Sequence, residues 1–415
     1  VRKSGVVDFN KKYDVAIIGA GPAGTVAAKM LRDEGYSVAI VEGAQFPRFS
    51  IGESLLPNCL NVLEKAGMLQ AVEDAGFQFK DGAVFERSDE KRSIDFRKNF
   101  DDGWGTAYQV QRALFDQLLA DCASDAGADI RYKCFVKGAV LSKGYCELHC
   151  ELPDGSVQTL TSSFVLDASG YGRVLSRLLS LETPSSLPAR SVVFTHVEDH
   201  ISDPQFDRDK ILITVHPERK DVWYWLIPFS NGTSSVGVVY LETDRERKAE
   251  SDKQILHTLI NQTALGELLN EAVPIRDIGK MSGYSCNVSK LHGPGFALLG
   301  NAAEFLDPVF SSGVTIALHS ANLAVPAVVK ELRGEEPDWQ SIFADPLKGG
   351  VDVFRVFVEA WYEGTLQDII LRHPEGDLDL SKMMVSILSG YAWSMSNPLV
   401  QKPKRYLRLL KALCE

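Results

Sequence analysis

An apolar run, Val15-Ala-Ile-Ile18, opens directly onto Gly19-Ala-Gly21-Pro-Ala23-Gly24, and a second run, Ser37-Val-Ala-Ile-Val-Glu42, ends on an acid. No other feature narrows the possible folds as far. Short, wholly apolar runs suit strands buried on both faces, and the stretch between them reads as a helix over 22–34 that stops at Gly35. Strand, glycine turn, helix, strand is the opening of a doubly wound α/β unit with a right-handed crossover. Gly19 permits the tight turn, Gly21 lets backbone approach a pyrophosphate, and Gly24 lets the helix lie close on the strand. Ala23 stands in the first helical turn, whose free N–H groups favour an anion. Glu42 sits where a carboxylate accepts hydrogen bonds from a ribose. The glycine pattern alone would fit a structural turn. Followed by that acid, it predicts a dinucleotide site.

Composition sets the class. A chain of 415 residues is long enough for a large core and more than one domain, and 45% hydrophobic with 24% charged residues is ordinary for a globular enzyme. A net charge of -11 argues against nucleic acid as a partner. Lys402, Lys404, Arg405, Arg408 and Lys411 gather near the C-terminus and read as a solvated helix face rather than a docking surface. No apolar run reaches membrane-spanning length, and the first residues lack the apolar segment of a secretion signal. Seven cysteines without C-x-x-C spacing suggest reduced thiols and a cytoplasmic location. The eight histidines form no ligand cluster, so no metal is expected.

Beyond the opening unit, helical periodicity falls at about 56–66 and 112–126. Strand-like alternation falls at 130–136, 139–151 and 156–166, with Pro153-Asp-Gly155 as a turn. Residues 190–240 are rich in β-branched and aromatic side chains. The pattern predicts a dinucleotide-binding α/β domain over 12–185 and 280–335, an inserted antiparallel β-sheet domain over 186–279 that holds substrate, and a C-terminal helical cap over 336–415. The strand Phe296-Ala-Leu-Leu299 and a helix over 313–332 return the chain to the first domain.

The sharpest further clue is Asp221-Val-Trp223-Tyr-Trp225-Leu-Ile227-Pro228. On a strand, alternate side chains share a face, so Trp223 and Trp225 build one bulky apolar wall. This Trp-x-Trp-x-Ile-Pro run resembles the FADH2-dependent halogenases of phenol and pyrrole type, within the para-hydroxybenzoate hydroxylase-like flavoproteins. Val222 stands where that family usually has glycine. The family oxidises halide with O2 to hypohalous acid and halogenates electron-rich aromatics. The resemblance extends to Phe46-Pro-Arg48-Phe-Ser-Ile-Gly-Glu-Ser54, Gln109-x-x-Arg112, Val165-Leu-Asp167-Ala-Ser-Gly170 and Phe296-Ala-Leu-Leu-Gly300-Asn301-Ala-Ala303. It implies that the first domain is a Rossmann-like FAD-binding domain, with Arg48, Ser54, Arg112, Asp167, Gly300, Asn301 and Gly313 around the cofactor. Asn301 replaces the usual aspartate; it still hydrogen-bonds a ribityl hydroxyl but carries no charge.

The same resemblance implies the chemistry. Pro308-Val-Phe310-Ser311-Ser312-Gly313 begins a helix whose backbone amides, those of Ser312 and Gly313, would hold chloride or bromide. An ordinary cap by either serine uses the same geometry. Lys80, in Gly76-Phe-Gln-Phe-Lys80-Asp-Gly, falls where the family carries its catalytic lysine. Its amine would hydrogen-bond hypohalous acid or take up the halogen as a haloamine. Trp223, Trp225, Ile227 and Pro228 would separate flavin from substrate. Phe310 and Ser311 would face the substrate pocket; tryptophan halogenases carry glutamate at the position of Phe310. That difference points to phenols or pyrroles, free or tethered to an acyl or peptidyl carrier protein. Trp104, Phe357 and Trp361 are candidates for the cavity wall, with core packing as the alternative. No second nucleotide loop is evident, so FADH2 would come from a separate flavin reductase. The rival readings are an FAD-dependent monooxygenase or lipid and isoprenoid reductase on the same fold, and a non-catalytic flavoprotein.

Overall fold

β1 (Lys12–Ile18), α1 (Pro22–Asp33) and β2 (Val38–Glu42) form the expected opening unit, and the two strands pair in parallel from Val15↔Val38 to Ile18↔Val41. The computed structural model describes residues 7–243, 250–372 and 378–414. β2 is buried along its whole length, as a strand covered on both faces must be. Gly35 ends the helical segment with φ +87°, a value open to glycine at little cost.

The first sheet runs His292–Gly293, Phe296–Leu298, Val157–Asp167, β1, β2, Asp129–Tyr132. Val157–Asp167 does two jobs. Its first half pairs antiparallel with Tyr145–Glu151, and its second half pairs in parallel with β1. The alternation over 139–151 is split into two strands, Phe135–Ser142 and Tyr145–Glu151, by a turn at Lys143 and Gly144. The period-2 pattern runs on across a hairpin because paired strands keep the same inward face; Gly144, at φ +77°, makes the turn possible.

The second sheet carries the tryptophan strand. Its order is Val273–Pro274, Arg190–Glu198, Thr233–Leu241, Trp223–Pro228, Lys210–Val215, Gly82–Arg87, Glu90–Asp95, with Gly279–Ser282 also on Arg190–Glu198. It is antiparallel except between Lys210–Val215 and Gly82–Arg87, which pair in parallel. Strands from 82–95, inside the segment read as the first domain, therefore complete this sheet. Trp223, Trp225 and Ile227 join the main core, whereas Tyr224 and Leu226 face a separate cluster on the other side.

Helix Ser312–Leu332 lies against α1, and the C-terminal helices Asp345–Tyr362, Thr365–Arg372, Leu378–Leu388 and Pro403–Ala412 follow. The reading that no apolar run reaches membrane-spanning length needs correction. Ser312–Leu332 has 21 residues and a window apolar enough to cross a bilayer by length and composition, of which 67% is buried inside the protein. A helix packed on several sides in a large core carries the same composition as a membrane span.

Candidate active site

A cavity of about 350 Å³ opens where the two sheets meet. One wall is the glycine turn. Gly19 has φ +100°, and a Cβ there would fall 2.5 Å from the carbonyl oxygen of Ala168; a Cβ on Gly24 would fall 2.1 Å from that of Gly19. These glycines let two backbone segments touch, as the spacing predicted. Gly21 is the N-cap of α1 without a side-chain cap, and Pro22 follows, so the first-turn amides of Ala23 and Gly24 stay available to an anion. Glu42 is positioned by the backbone N–H groups of Ala20 (2.8 Å) and Ala44 (2.9 Å).

The cavity tests well for FAD. Gly19, Gly21, Ala23, Glu42, Arg48, Ser54, Arg112, Gly300, Asn301 and Gly313 line it. Asn301 Oδ1 and Ser54 Oγ are buried without a hydrogen-bond partner among the described residues. Polar atoms left so are costly, and a polar ligand's hydroxyls would satisfy them. Asp167 is fully buried and does not reach the cavity; it accepts bonds from the amides of Ser169 (2.9 Å) and Leu175 (2.6 Å) and so shapes the cavity-lining loop from Ala168 to Gly172. The two arginines share one partner. Arg112 meets Asp116 through Nε (2.7 Å) and a second nitrogen (3.0 Å), and Arg48 reaches the same carboxylate at 3.0 Å.

Opposite stands the tryptophan wall. Trp223, Trp225 and Ile227 line the cavity, with the indole centroids 6.0 Å apart; Pro228 is buried behind them. Trp225 donates to Ser235 Oγ at 3.1 Å.

Between wall and glycine turn, helix Ser312–Leu332 begins. Ser311 is its N-cap, in the left-handed region at φ 56°, and its side chain makes no cap hydrogen bond. The first-turn amides therefore lack the usual internal acceptor. Ser311 and Gly313 line the cavity, while Ser312 is buried beside it.

Lys80 is fully buried and ends the strand Gln78–Lys80, paired with Ala107–Gln109. Its Nζ donates to the carbonyl oxygen of Leu55 at 2.8 Å and lies 5.1 Å from the ring centroid of Phe96. Leu55 follows cavity-lining Ser54 directly. Burial pushes the Lys80 amine down to about 7, with nearby Cys59 opposing the shift. Cys59 Sγ lies 3.2 Å from the hydroxyl of Thr315, one residue beyond cavity-lining Val314. Lys80 itself does not line the cavity; its amine sits behind Ser54 and Val314, which do.

Comparison with known proteins decides the family. Residues 12–340 match the FAD binding domain family. The chain is 30% identical over 344 residues to the flavin-dependent halogenase armH3 of Armillaria mellea, covering 77% of this chain and 68% of that one. The chain belongs to the flavin-dependent halogenases. It is also 28% identical over 409 residues to the 1H-pyrrole-2-carbonyl-[peptidyl-carrier protein] chlorinase of Pseudomonas fluorescens, covering 90% and 88% of the two chains. Among solved structures, a flavoprotein/dehydrogenase from Cytophaga hutchinsonii superposes with a TM-score of 0.92 at 38% identity, covering 97% of this chain and 99% of that one. The flavin-dependent brominase Bmp2 gives 0.71 at 25%, covering 97% and 94%.

Phe310 does not line the cavity of this halogenase: it is buried in the core with Phe357 and Trp361, whose ring centroids lie 6.3 and 5.8 Å from its own, so these two side chains pack the core. Trp104 is elsewhere, its Nε1 bonded to Glu64 at 3.2 Å. Four residues have no place in the sequence-based expectations. Tyr284 lines the cavity and donates to Asp307 at 3.0 Å; Tyr362, from the C-terminal helices, bonds the same carboxylate. Burial raises the Asp307 carboxyl and raises both phenols well above their ordinary range. Glu53, also in the lining, lies 2.8 Å from His196 Nε2. Glu53 stood within a segment already singled out; Tyr284, Asp307 and Tyr362 had no local pattern to mark them.

Proposed function

We propose that this flavin-dependent halogenase converts halide to hypohalous acid and installs the halogen on a phenol or pyrrole tethered to a carrier protein, working with a separate flavin reductase. The observation that carries this reading is Lys80, a fully buried amine at about 7 beside the end of the cavity-lining segment. An amine near neutrality is available as the free base, which an ordinary lysine is not.

Reduced FAD, when bound, supplies the electrons that activate O2. The chain's own residues do the rest. The first-turn amides of α1 and the carboxylate of Glu42 hold the dinucleotide; Ser54 Oγ and Asn301 Oδ1 meet its hydroxyls. The amides of Ser312 and Gly313 hold halide: both are in the first turn, where amides have no helical acceptor, and the Ser311 side chain leaves that of Gly313 uncapped. Trp223 and Trp225 keep the organic substrate from the flavin, so that halide is the nucleophile oxidised. Lys80 receives the halogen, as a hydrogen-bonded hypohalous acid or as a haloamine, and fixes where it is delivered. Phe310 supplies no carboxylate to the aromatic cluster, which suits electron-rich rings. The carrier-borne form of the substrate is supported by the names of the Pseudomonas chlorinase and of a Pseudoalteromonas luteoviolacea brominase, 28% identical, that act on pyrrole-2-carbonyl carrier proteins. Seven free cysteines suit a reducing, cytoplasmic setting.

The deciding experiment incubates the protein with FADH2, O2, bromide and pyrrole-2-carbonyl or phenolic substrates, and reads products by mass spectrometry. A bromine isotope doublet is expected. A gain of one oxygen instead would make the protein a monooxygenase, and flavin oxidation without product would leave only a flavin-binding fold.

A further inference from the structure

We infer that the outer face of helix Pro403–Ala412 is the docking surface for an acidic carrier protein presenting the substrate, an inference that rests on the carrier-borne form of the reading above. Lys402, Lys404, Arg405, Arg408 and Lys411 are all exposed on or beside this helix. None of the five forms an ion pair among the described residues. The sequence holds no acid between Asp379 and Glu415, although the chain as a whole carries a charge of -11. The face read at first as merely solvated is therefore a local reversal of the protein's sign.

Its arrangement works against the helix that bears it. Lys404 and Arg405 occupy the first turn, where no acid is present and the helix dipole already leaves excess positive charge. Lys404 and Arg408 are four residues apart, close enough to repel along one side of the helix. Lys411, in the last turn, is favourably placed, but no ion pair among the described residues relieves the first turn; a negatively charged partner would. Leu409 and Leu413 lie among the cations at 46% and 48% exposure, giving the face the mixture of apolar and basic groups that protein interfaces use.

Placement selects the partner. Leu407 and Leu410 are buried, and the helix packs on Asp345–Tyr362 and Thr365–Arg372. The inner side of Asp345–Tyr362 puts Phe357 and Trp361 against Phe310. The basic face and that aromatic cluster thus belong to adjacent layers, separated by these two helices, on the order of 20 Å. A carrier bound there would have to present its acyl group on an extended arm past this layer. A membrane surface fits less well, because the helix turns two of its leucines into the protein and keeps little apolar area for lipid.

The test uses a K404E/R405E/R408E variant, all three changes being at exposed positions. A peptidyl-carrier protein loaded with a pyrrole-2-carboxyl group is compared with the same acyl group on a short pantetheine thioester, across a salt series. Direct binding of the loaded carrier is followed by fluorescence anisotropy. Expected is a roughly tenfold rise in KM and in the carrier's Kd, with a flattened salt dependence, while kcat and turnover of the short thioester hold. A charge-preserving K404R/R405K/R408K variant should restore wild-type values. Equal carrier affinity in wild type and charge-reversed variant would overturn the docking face while leaving halogenation standing. Absence of halogenation with intact, charge-dependent carrier binding would overturn the reaction and leave the docking face standing. Loss of binding to phosphatidylserine-containing vesicles, with carrier binding unchanged, would make the face a membrane contact instead.

Discussion

The indole Nε1 of Trp223 donates a 2.9 Å hydrogen bond to the hydroxyl of Tyr362. A residue of the wall is thereby held from the C-terminal helices, the region without any recognisable motif. Tyr362 also bonds Asp307, which accepts from Tyr284, and the Arg190 guanidinium lies 3.3 Å from the Tyr362 ring centroid. The chain Tyr284–Asp307–Tyr362–Trp223 therefore links the cavity wall, the segment before Phe310 and the cap.

Tyr362→Phe removes one hydroxyl and strands a buried indole N–H. The expected loss is about 1–3 kcal/mol, the cost of an unsatisfied buried donor, read from denaturant unfolding. Unchanged stability would mean that packing alone fixes Trp223. Because the ring remains, the stacked Arg190 contact should persist, and Trp223 fluorescence should report the altered environment.

Asn301 gives the opposite sign. Its Oδ1 has no partner among the described residues, so Asn301→Leu removes a polar atom that costs the empty protein stability. The flavin-free variant should be as stable as wild type or slightly more so. Its FAD affinity, followed by fluorescence titration, should fall about tenfold, one charge-neutral hydrogen bond's worth. Unchanged affinity would take Asn301 out of the cofactor site.

What could be read in advance was local. The glycine turn, Glu42 and the tryptophan pair each declare themselves within a few residues, because turn sterics and strand alternation act over that range. The choice of sheet partners does not. Gly82–Arg87 lies parallel to Lys210–Val215, more than a hundred residues away, and nothing in either segment names the other. The Asp307 cluster escaped for the same reason: its acid and two phenols come from three separate parts of the chain, and only folding makes them neighbours. Lys80 is intermediate. Its flanking segment resembled a known one, but its burial, and hence its lowered basicity, depends on Leu55, Cys59 and Phe96 closing around it.

That burial makes a pH prediction. The Lys80 amine moves from the usual 10.5 to about 7 on folding, chiefly through burial. Between those values the unfolded chain binds more protons than the folded one, so stability from this group rises with pH, and the penalty for a buried ammonium is complete below 7. Lys80→Met should therefore be more stable than wild type below pH 7, by at most about 5 kcal/mol, with the gap closing toward 10.5. Thermal unfolding across pH measures it. A gap independent of pH would place the amine in a solvated site. The same variant should still oxidise FADH2 yet give no halogenated product.

Gly237 tests the wall from behind. It is the cross-strand partner of Trp225, and a Cβ there would fall 2.4 Å from the indole ring. No carbon pair tolerates that distance, so Gly237→Ala must move either the strand or the indole. Moving the strand breaks the ladder shared with Arg190–Glu198, so the indole is the softer element. It would also give up its 3.1 Å bond to Ser235. The expected cost is about 1–3 kcal/mol for overpacking, with a matching drop in FAD affinity, because the displaced ring lines the cavity. Trp225→Leu in the Gly237→Ala background should recover much of the stability, a coupling that a double-mutant cycle isolates. Strictly additive losses would show that the glycine serves the strand rather than the tryptophan, and that the wall's position is set elsewhere.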